Sequence, residues 1–254
     1  MSGHNKWAKV KHVKAKVDAI RGRQFTKIIK EITIAARMGG GDPGSNPRLR
    51  TALTSAKDCN MPKDNIERAI KKGTGELEGV NYEEVMYEGY APGGVAVMAR
   101  CLTDNTNRTV SEVNKIYSKN GGNMGVPGCV SFMFETKGYF YLPGEGNPGK
   151  TEDEMMEIVL EAGAEDLKTI EDGFEIYSAP SEFFAVRQVL DEKGLKVEEA
   201  KVMSVPKTTV KVTGADVARV LKLVDALEEH DDVQDVYYNY EISDEDMEMA
   251  LSAS

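Results

Sequence analysis

Basic side chains crowd the first 75 residues of this 254-residue chain, and their chemistry is that of phosphate binding. Residues 1–75 hold 17 Lys and Arg against 6 Asp and Glu, whereas residues 76–254 hold 15 against 36, within a formal net charge of −10. Clustered Lys and Arg gain free energy by releasing counterions from phosphates. The asymmetry therefore predicts a basic head (residues 1–75) that binds a polyanion. The alternative is an uneven but ordinary solubility surface.

The N-terminal arm, residues 2–20, combines lysines with the only tryptophan of the chain, Trp7, and holds one acid, Asp18. Basic residues around an aromatic ring are typical of nucleic-acid-binding segments, because the ring stacks on a base while the lysines neutralise phosphates. Trp7 has an equally good structural interpretation, in which its ring fastens the arm to the helical core. Both interpretations stay open at this stage.

Residues 24–38 predict an amphipathic helix, because apolar residues recur at helical spacing from Phe25 to Ala36. The opposite face carries four cations: Arg23, Lys27, Lys30 and Arg37. A solvated helix face usually mixes charges of both signs for i, i+4 pairing. This nearly all-positive face therefore predicts an exposed, ligand-binding surface.

Two further helices are predicted in the basic head. Asn46 is expected to cap a helix that begins at Pro47, Pro62 separates the two helices, and Gly73 is expected to end the last one. The full set of predicted nucleic-acid contacts is Lys6, Trp7, Lys9, Lys11, Lys14, Lys16, Arg21, Arg23, Lys27, Lys30, Arg37, Arg48, Arg50, Lys57, Lys63, Arg68, Lys71, Lys72 and Arg108.

The contact predicted at Arg108 lies outside the basic head, in the acidic remainder of the chain (residues 76–254), which we call the acidic body. Arg108 directly precedes a capping-box pattern, T-V-S-E, at the start of a predicted helix. Lys115 and Lys119 share its helical face, which predicts a second phosphate contact that bridges head and body. A surface arginine that pairs with Asp104 or Glu112 is an equally good interpretation.

Residues 144–151, GEGNPGKT, match the pattern of a phosphate-binding loop between a predicted strand and a predicted helix. The acids Glu152, Asp153 and Glu154 occupy the helix start, where phosphates would need bare N–H groups. No downstream strand ends in an aspartate suited to magnesium, and the predicted domain is too small for the sheet on which such sites lie. Thr151 with Glu154 is better interpreted as a capping box. A P-loop nucleotidase is therefore the disfavoured enzyme alternative.

No other pattern predicts catalysis, since neither G-x-S-x-G nor H-E-x-x-H occurs. The three cysteines and three histidines lack metal-ligand spacing, so we expect no metal, no cofactor and no small-molecule substrate. Acidic runs such as 228–229 and 231–232 are expected to be solvated surface charge. No apolar run is long enough to span a bilayer, and scattered thiols fit a reducing compartment. We therefore predict a cytoplasmic, non-enzymatic protein without a membrane partner.

From residue 82 onward, short strands alternate with helices. Strands are predicted at residues 94–103, 129–134, 139–142, 165–169, 174–178, 196–205, 208–213 and 233–240, and helices at 109–120, 152–162, 181–193 and 215–230. From residue 139 the order is β-α-β-β-α-β, which is ferredoxin-like. The elements on either side of it form a second unit of the same order, into which the first is inserted.

The predicted fold class is α+β, with an N-terminal helical domain followed by two ferredoxin-like α/β domains, one inserted in the other. The predicted boundaries are 1–78 for the basic helical domain, 79–135 with 206–242 for the discontinuous domain, 136–205 for the inserted domain, and 243–254 for an acidic tail. We expect this tail to be frayed.

Several long motifs resemble those of the YebC family. They are SGHNKW (2–7), FTK (25–27) with KEI (30–32), GGGDP (39–43), NPRLR (46–50), NMPKDNIERAI (60–70), YEGYAPGGV (87–95), LTDN (102–105) with NRT (107–109), and KNGG (119–122). The family is also similar to a mitochondrial translational activator of cytochrome c oxidase. The resemblance implies a helical domain with two α/β domains, a cytoplasmic location and no enzymatic activity.

The resemblance also implies a function. The family carries a transcription-regulator label with DNA binding attributed to some members, and other members are linked to ribosomes that stall on proline-rich nascent chains. Its functional residues correspond to the basic N-terminal segment and to the loop at residues 104–109. The favoured hypothesis is a transcriptional regulator that binds DNA through the basic head. The alternative is a ribosome-associated translation factor that binds ribosomal RNA or tRNA, and in either case the acidic body is a candidate surface for a protein partner.

Overall fold

The computed structural model describes the backbone of residues 17–252 and the side chains of residues 22–250. Residues 132–209 form a smaller compact unit, and the described residues on either side of them form a larger unit. None of the described helices is both long and apolar enough to cross a bilayer. The predicted α+β class is confirmed, with a helical N-terminal region followed by two ferredoxin-like α/β domains, one inserted in the other.

The elements follow one another along the described chain with short connections. In chain order they are α1 (Val17–Gly39), α2 (Pro47–Asp58), α3 (Lys63–Thr74), β1 (Glu83–Ala91), β2 (Val95–Thr103), α4 (Thr106–Lys119), β3 (Asn123–Met124), β4 (Phe134–Pro143), α5 (Glu152–Glu161), β5 (Ala164–Ile170), β6 (Gly173–Ser178), α6 (Phe183–Glu192), β7 (Glu199–Pro206), β8 (Val210–Lys211), α7 (Ala215–Glu228), β9 (Val233–Tyr238), β10 (Tyr240–Glu241) and α8 (Asp244–Ser252).

The three helices α1, α2 and α3 of the larger unit pack around a small apolar core. Ile32 of α1, Leu49 of α2 and Ala69 of α3 are fully buried in it. Asn46 caps α2 as predicted, because its side-chain oxygen accepts the Leu49 N–H at 3.0 Å. The regularly spaced apolar residues and the Asn46 cap, both visible in the sequence, therefore stabilise the three helices.

Helix α3 ends later than predicted. It continues through Thr74, and Gly75, with φ of 84°, is the residue in the left-handed conformation. Gly73 lies inside the helix and is buried against α1, where a Cβ would collide with the carbonyl oxygen of Thr33 and the Cβ of Ala36. Gly73 therefore allows close helix packing and does not end the helix.

The larger unit also contains a four-stranded antiparallel sheet in the order β3-β1-β2-β9. Helices α4 and α7 pack on it, and Val97 of β2, Tyr117 of α4 and Leu223 of α7 share one buried core. The Tyr117 hydroxyl donates to the Val97 carbonyl oxygen at 3.0 Å, so the polar end of this buried ring has a partner. The short strands β8 and β10 pair in parallel outside this sheet.

Three strand predictions for the larger unit differ from the structure. Residues 208–213 contribute only the short β8, and the range 129–134 contains a 3-10 turn at Ser131–Met133 and no strand before Phe134. The strand β1, EEVMYEGYA, was not predicted, because three acids obscure its alternating pattern. It lies between β2 and β3 and completes the sheet. The elements of this sheet follow the order β-β-α-β and, after the inserted unit, α-β, so the predicted second β-α-β-β-α-β order is wrong.

The acids of β1 are held by partners that are distant in sequence. Glu84 forms ion pairs with two arginines. Glu88 is buried, and its carboxylate accepts the backbone N–H groups of Gly128, Val130 and Ser131 at 2.8 to 2.9 Å. Burial raises the pKa of Glu88, but these three hydrogen bonds outweigh it and lower the pKa below its ordinary value. The strand accommodates Glu84 and Glu88 because donors from other segments bind their carboxylates, whereas Glu83 is exposed.

The smaller unit has the predicted β-α-β-β-α-β order. Its antiparallel sheet runs β5-β6-β4-β7, and α5 and α6 cover one face. Phe140 of β4, Ile176 of β6 and Val186 of α6 are fully buried there, and the Phe140 and Phe183 rings stack at a centroid distance of 4.9 Å. Because successive side chains of a strand point to opposite faces, Phe140 and Leu142 of β4 share the covered face with Phe174 and Ile176 of β6.

The acidic C-terminal segment is more ordered than predicted. Residues Asp244–Ser252 form α8, which packs against α7. Met247 is 3% exposed and belongs to the core of the larger unit. One buried methionine in an otherwise acidic segment thus anchors a helix that composition alone did not predict.

Substitution of Asn46 tests the cap of α2. Its side-chain oxygen caps the helix, and its Nδ2 donates to the carbonyl oxygens of Ala35 and Gly40, both at 2.8 Å. We expect Asn46→Ala to lower the free energy of unfolding by about 2 to 3 kcal/mol, measured by urea denaturation. Asn46→Asp keeps the acceptor, loses both donors, and should fall between wild type and Asn46→Ala. Equal stability of all three proteins would contradict this assignment.

Candidate nucleic-acid interface

The predicted cationic stripe of α1 is not an exposed surface. Lys30 is 7% exposed, and its Nζ lies 2.8 Å from Asp232 Oδ1 and 2.9 Å from the Asp231 carbonyl oxygen. The Lys30 Nζ also lies 3.4 Å from the carbonyl oxygen of Leu102. The expectation that this face points to solvent is therefore wrong at Lys30. The charge of that lysine balances a carboxylate in the same unit.

The neighbouring cations of α1 contact the same acidic segment. Lys27 Nζ donates to the Glu228 carbonyl oxygen at 3.0 Å, and Arg23 Nη1 lies 3.7 Å from Glu229 Oε1. The three cations follow one another along the helix at i, i+4 and i+7, so they lie on one face. Charge complementarity between the basic head and the acidic residues is thus used inside the larger unit.

Asp232 is the centre of this contact and not the solvated charge that the sequence predicted. Its side chain is 6% exposed, and it accepts Lys30 Nζ, Arg108 Nη2 at 2.7 Å and the hydroxyls of Thr109 at 2.8 Å and Thr103 at 3.2 Å. Burial raises the pKa of Asp232, but the hydrogen bonds from Lys30, Arg108 and Thr109 outweigh it and hold that pKa well below its usual range.

Thr109 is consequently not a helix cap. Helix α4 begins at Thr106, and its N-cap is Asn105, whose side chain accepts the Arg108 N–H at 3.0 Å. The Thr109 hydroxyl is buried and bonds to Thr103 and Asp232 instead. The capping-box pattern that starts at Thr109 was a wrong assignment, because the pattern is identical whether the hydroxyl faces its own helix or a buried carboxylate.

Arg108 has both partners and free donors. Its Nη2 contacts Asp104 Oδ1 at 2.8 Å as well as Asp232, which agrees with the paired interpretation. Glu112, the other predicted partner, instead contacts His230 Nε2 at 2.9 Å. The Arg108 side chain is 43% exposed, and neither its Nε nor its Nη1 bonds to a described residue. It can therefore accept a further anion without losing its internal contacts.

A second charged network occupies Arg48, which the sequence predicted as a ligand contact. Arg48 Nε lies 2.6 Å from Glu31 and its Nη1 lies 2.8 Å from Glu84, while Arg100 contacts both acids at 3.0 Å and Asp235 at 2.6 Å. Burial lowers the pKa of Arg100, but Asp235 and Glu31 raise it above its ordinary value. Sequence analysis missed this network, because its members are far apart in the chain.

Two more predicted contacts are engaged with backbone. Arg50 donates to the carbonyl oxygens of Pro43 and Gly44 at 3.0 Å, which closes the loop between α1 and α2. Arg37 donates to the carbonyl oxygens of Val80 and Tyr82 at 3.2 and 3.4 Å. Both side chains therefore shape local backbone.

The remaining cations of the basic head lie on α2 and α3. Lys57, Arg68, Lys71 and Lys72 are exposed, and no hydrogen bond or ion pair joins their side-chain charged groups to any described residue. Lys63 is 87% exposed and forms only a 3.5 Å i, i+4 pair with Glu67. Arg68, Lys71 and Lys72 share one face of α3 at i, i+3 and i+4. We call these three residues the α3 patch.

Seven predicted contacts lie outside the described side chains. They are Lys6, Trp7, Lys9, Lys11, Lys14, Lys16 and Arg21. The two interpretations of Trp7 stay as the sequence left them.

The loop that matches a phosphate-binding motif is closed by its own side chains. Asn147 is buried, and its Nδ2 donates to the Pro143 and Lys196 carbonyl oxygens at 2.9 and 3.0 Å. The predicted capping box is confirmed, since Thr151 and Glu154 exchange hydrogen bonds of 3.3 Å. Within the described residues, no group of three or more His, Cys, Asp and Glu side chains is arranged to hold a metal ion.

Comparison with known proteins decides the family. Residues 5–76 match the N-terminal domain of TACO1/YebC proteins, and residues 82–240 match the second and third domains of the same proteins. The chain belongs to the TACO1/YebC family. This confirms the resemblance found in the sequence.

Relatives within the family are similar along their whole length. A protein of Geobacter sulfurreducens, described as a probable transcriptional regulatory protein, is 54% identical over 99% of this chain and 100% of its own. A protein of Carboxydothermus hydrogenoformans with the same description is 52% identical over 96% of this chain and 100% of its own. The crystal structure of a conserved hypothetical protein from Aquifex aeolicus matches with a TM-score of 0.82 and 51% identity, covering 91% of this chain and 94% of that one.

Neutralising Asp232 tests the contact between α1 and the acidic segment. Because Lys30 would stay buried without its counterion, we expect Asp232→Asn to lower the free energy of unfolding by about 3 to 5 kcal/mol. Asp231→Asn is the matched control, since that neighbouring side chain is exposed, and it should change stability by less than about 0.5 kcal/mol. Both values come from urea denaturation at pH 7.

The same pair of proteins gives a pH signature. A carboxyl whose folded pKa is depressed contributes stability above its unfolded pKa of about 4, and that contribution is lost as the pH falls towards the folded pKa. The stability difference between wild type and Asp232→Asn should therefore shrink between about pH 5 and pH 2. A difference that is as large at pH 3 as at pH 7 would show that the Asp232 charge is not the stabilising group.

Proposed function

We propose that this protein is a non-enzymatic regulatory factor of the cytoplasm that binds nucleic acid, with DNA as the favoured ligand, through its basic head. The observation that carries the proposal is the α3 patch, with Lys57 and Lys63 beside it in sequence. These cations stay exposed in a unit where other basic residues of the head are held by acids or carbonyl groups. The description of the relatives as probable transcriptional regulatory proteins supports a regulatory role.

The internal ion pairs reduce the number of basic residues that are available to bind nucleic acid. Lys30 and Arg48 each neutralise a carboxylate at 2.8 Å or less, and exchange of that carboxylate for a phosphate yields little net free energy. Exposed cations without partners release counterions fully when they meet phosphates. We therefore assign the sequence-independent grip to the α3 patch, Lys57 and Lys63, together with the lysines of the N-terminal arm.

The enzyme alternative receives no support from the loop at residues 144–151. A phosphate-binding loop presents free backbone N–H groups at a helix start, and its Ser or Thr hydroxyl serves a metal ion. Here the Thr151 hydroxyl accepts the Glu154 N–H, and the first helical turn carries three carboxylates. These features favour a structural helix start over a nucleotide site.

Charge reversal of the α3 patch tests the grip. We expect the full-length triple variant Arg68→Glu, Lys71→Glu, Lys72→Glu to bind a 20-bp duplex DNA at least about tenfold more weakly, a loss of about 1.4 kcal/mol. The slope of log affinity against log salt should become shallower by about 3, since each lost phosphate contact removes about 0.9. Fluorescence anisotropy between 50 and 200 mM salt measures both quantities.

A matched control separates a local grip from net charge. The triple variant Lys150→Glu, Lys193→Glu, Lys211→Glu makes the same change in charge at exposed positions outside the basic head. It should keep the wild-type affinity and salt slope, and both variants should keep the wild-type melting temperature. If the two triple variants weaken binding equally, the α3 patch is not the grip.

The physiological ligand is decided in cells. Crosslinking followed by sequencing should recover DNA from promoter regions if the protein regulates transcription. Recovery of ribosomal RNA or tRNA in place of promoter DNA would assign it to translation and overturn the DNA proposal, while leaving nucleic-acid binding intact.

A further inference from the structure

A cleft of about 1140 Å³ lies in the larger unit, beside the face where α1 meets the acidic segment. Helices α1, α4 and α7 and the residues that follow α7 contribute to its walls. Its exposed cations come from two helices, with Arg108, Lys115 and Lys119 on α4 and Lys222 on α7, and the buried Lys30 of α1 also lines it. Its volume exceeds the roughly 300 to 1,000 Å³ of sites for single small molecules. The cleft therefore suits a longer, charged ligand.

The three lysines of the cleft are unneutralised. Lys115, Lys119 and Lys222 are exposed, and none of their side-chain ammonium groups has a hydrogen bond or ion pair with a described residue. Arg108 adds its unused Nε and Nη1 to this set, because its internal contacts all use Nη2. The surface thus offers four cationic groups that an external anion can reach.

The acids of the cleft are mostly occupied by other groups. Asp232 serves the buried network around Lys30, and Glu112 contacts His230 at 2.9 Å. Asp104 contacts Arg108 at 2.8 Å, and Glu229 lies 3.7 Å from Arg23. The cationic partners offset the charges of Asp232, Asp104 and Glu229, whereas Lys115, Lys119 and Lys222 have no acid paired with them among the described residues.

An exposed acid remains at one end of the cleft. Asp231 uses its carbonyl group towards Lys30, and its side chain stays exposed. It follows the carboxyl end of α7, close to the network at the start of α4, whereas Lys119 is in the last turn of α4. The nearby Asp231 charge therefore weakens the attraction of Arg108 for a phosphate, and the main attraction comes from Lys115, Lys119 and Lys222 on the α4 and α7 walls.

The cations on α4 form a row along the cleft. Residues 108, 115 and 119 are spaced i, i+7 and i+11, so they lie on one helical face, with rises of about 10 Å and 6 Å between them. Tyr82 lines the same cleft, and its ring is partly exposed. A cationic groove with an aromatic ring is the arrangement that binds single-stranded nucleic acid, because the cations follow the backbone and the ring stacks on a base.

We propose that this cleft binds a single-stranded segment of nucleic acid, with phosphates on Lys115, Lys119, Lys222 and Arg108 and a base against Tyr82. The inference rests on the proposed function, because it assumes that the ligand is nucleic acid, and it assigns to the body a contact separate from the α3 patch. We expect duplex DNA to bind at the α3 patch and not in the cleft. A duplex presents a broad surface, which fits the exposed face of α3 better than it fits a cleft.

The test uses the full-length protein and four probes: a 12-nucleotide oligouridine, a 12-nucleotide oligothymidine, a 20-bp duplex DNA and polyglutamate. The cleft variant is Lys115→Glu, Lys119→Glu, Lys222→Glu, and the control of equal charge change is Lys150→Glu, Lys193→Glu, Lys211→Glu. Relative to that control, the cleft variant should bind both single strands at least tenfold more weakly and the duplex within twofold. Melting temperatures of both variants should equal that of wild type.

Tyr82 gives an independent readout. Tyr82→Phe keeps the ring and should keep the affinity for single strands, whereas Tyr82→Ala should lower it at least threefold. Because Lys30 Nζ lies 5.6 Å from the Tyr82 ring centroid, a melting temperature accompanies each measurement. If Tyr82→Ala lowers the melting temperature and leaves single-strand affinity unchanged, the ring is structural and its assignment to a base is wrong.

The outcomes separate this inference from the proposed function. Single-strand affinity that is equal in the cleft variant and its control overturns the cleft site, while loss of duplex binding in the α3 variant still supports the proposed function. Wild-type protein that binds neither duplex nor single strand overturns both. Binding of polyglutamate without oligonucleotide, lost in the cleft variant, assigns the cleft to an acidic protein segment and overturns the inference. A preference between oligouridine and oligothymidine that is repeated with oligodeoxyuridine in place of oligothymidine identifies RNA or DNA as the source through the 2′-hydroxyl.

Discussion

The buried ion pair between Lys30 and Asp232 is the contact that sets how the larger unit is arranged. Removal of two charges from water costs several kcal/mol per ion, and the pair is stable only if the remaining donors and acceptors are satisfied. Two hydroxyls, Thr103 and Thr109, and the Arg108 guanidinium complete the carboxylate, while backbone carbonyls complete the lysine. A pair with so many fixed partners specifies one position of α1 against the acidic segment.

This contact divides the basic head into two faces with different roles. One face of α1 carries cations that contact the segment at residues 228–232, whereas the charged groups of the α3 patch have no partner among the described residues. The helical spacing of charges is the same kind of signal in both helices. The two helices differ in what packs against their cations, because the acidic segment at residues 228–232 contacts α1 and not the α3 patch. The net positive charge of the basic head therefore does not show which of its cations are available to a ligand.

Local signals in the sequence predicted local structure well. The caps at Asn46 and Thr151 were found because the capping side chain and its target lie three residues apart. The contacts that shape the candidate interface join residues far apart, such as Lys30 and Asp232, which are separated by 202 positions. Thr109 shows most plainly where local patterns fail. A threonine three residues before a glutamate predicts a helix cap, but the Thr109 hydroxyl binds the distant Asp232 carboxylate instead. The strand β1 was hidden for the same reason, since Glu88 looks like surface charge until the loop at residues 128–131 surrounds it.

The buried pair also limits how a nucleic acid can engage this protein. A phosphate that displaced Asp232 from Lys30 would leave an uncompensated carboxylate against Thr103 and Thr109, and such a buried charge costs more than one phosphate contact returns. We therefore expect the face of α1 to keep its contacts with residues 228–232 if a ligand binds. A ligand held by the α3 patch and a strand held in the cleft would then be fixed at one distance and one angle. Such a fixed geometry lets a protein with few base-specific groups select among nucleic acids by their shape, which is the form of specificity that a largely electrostatic surface can supply.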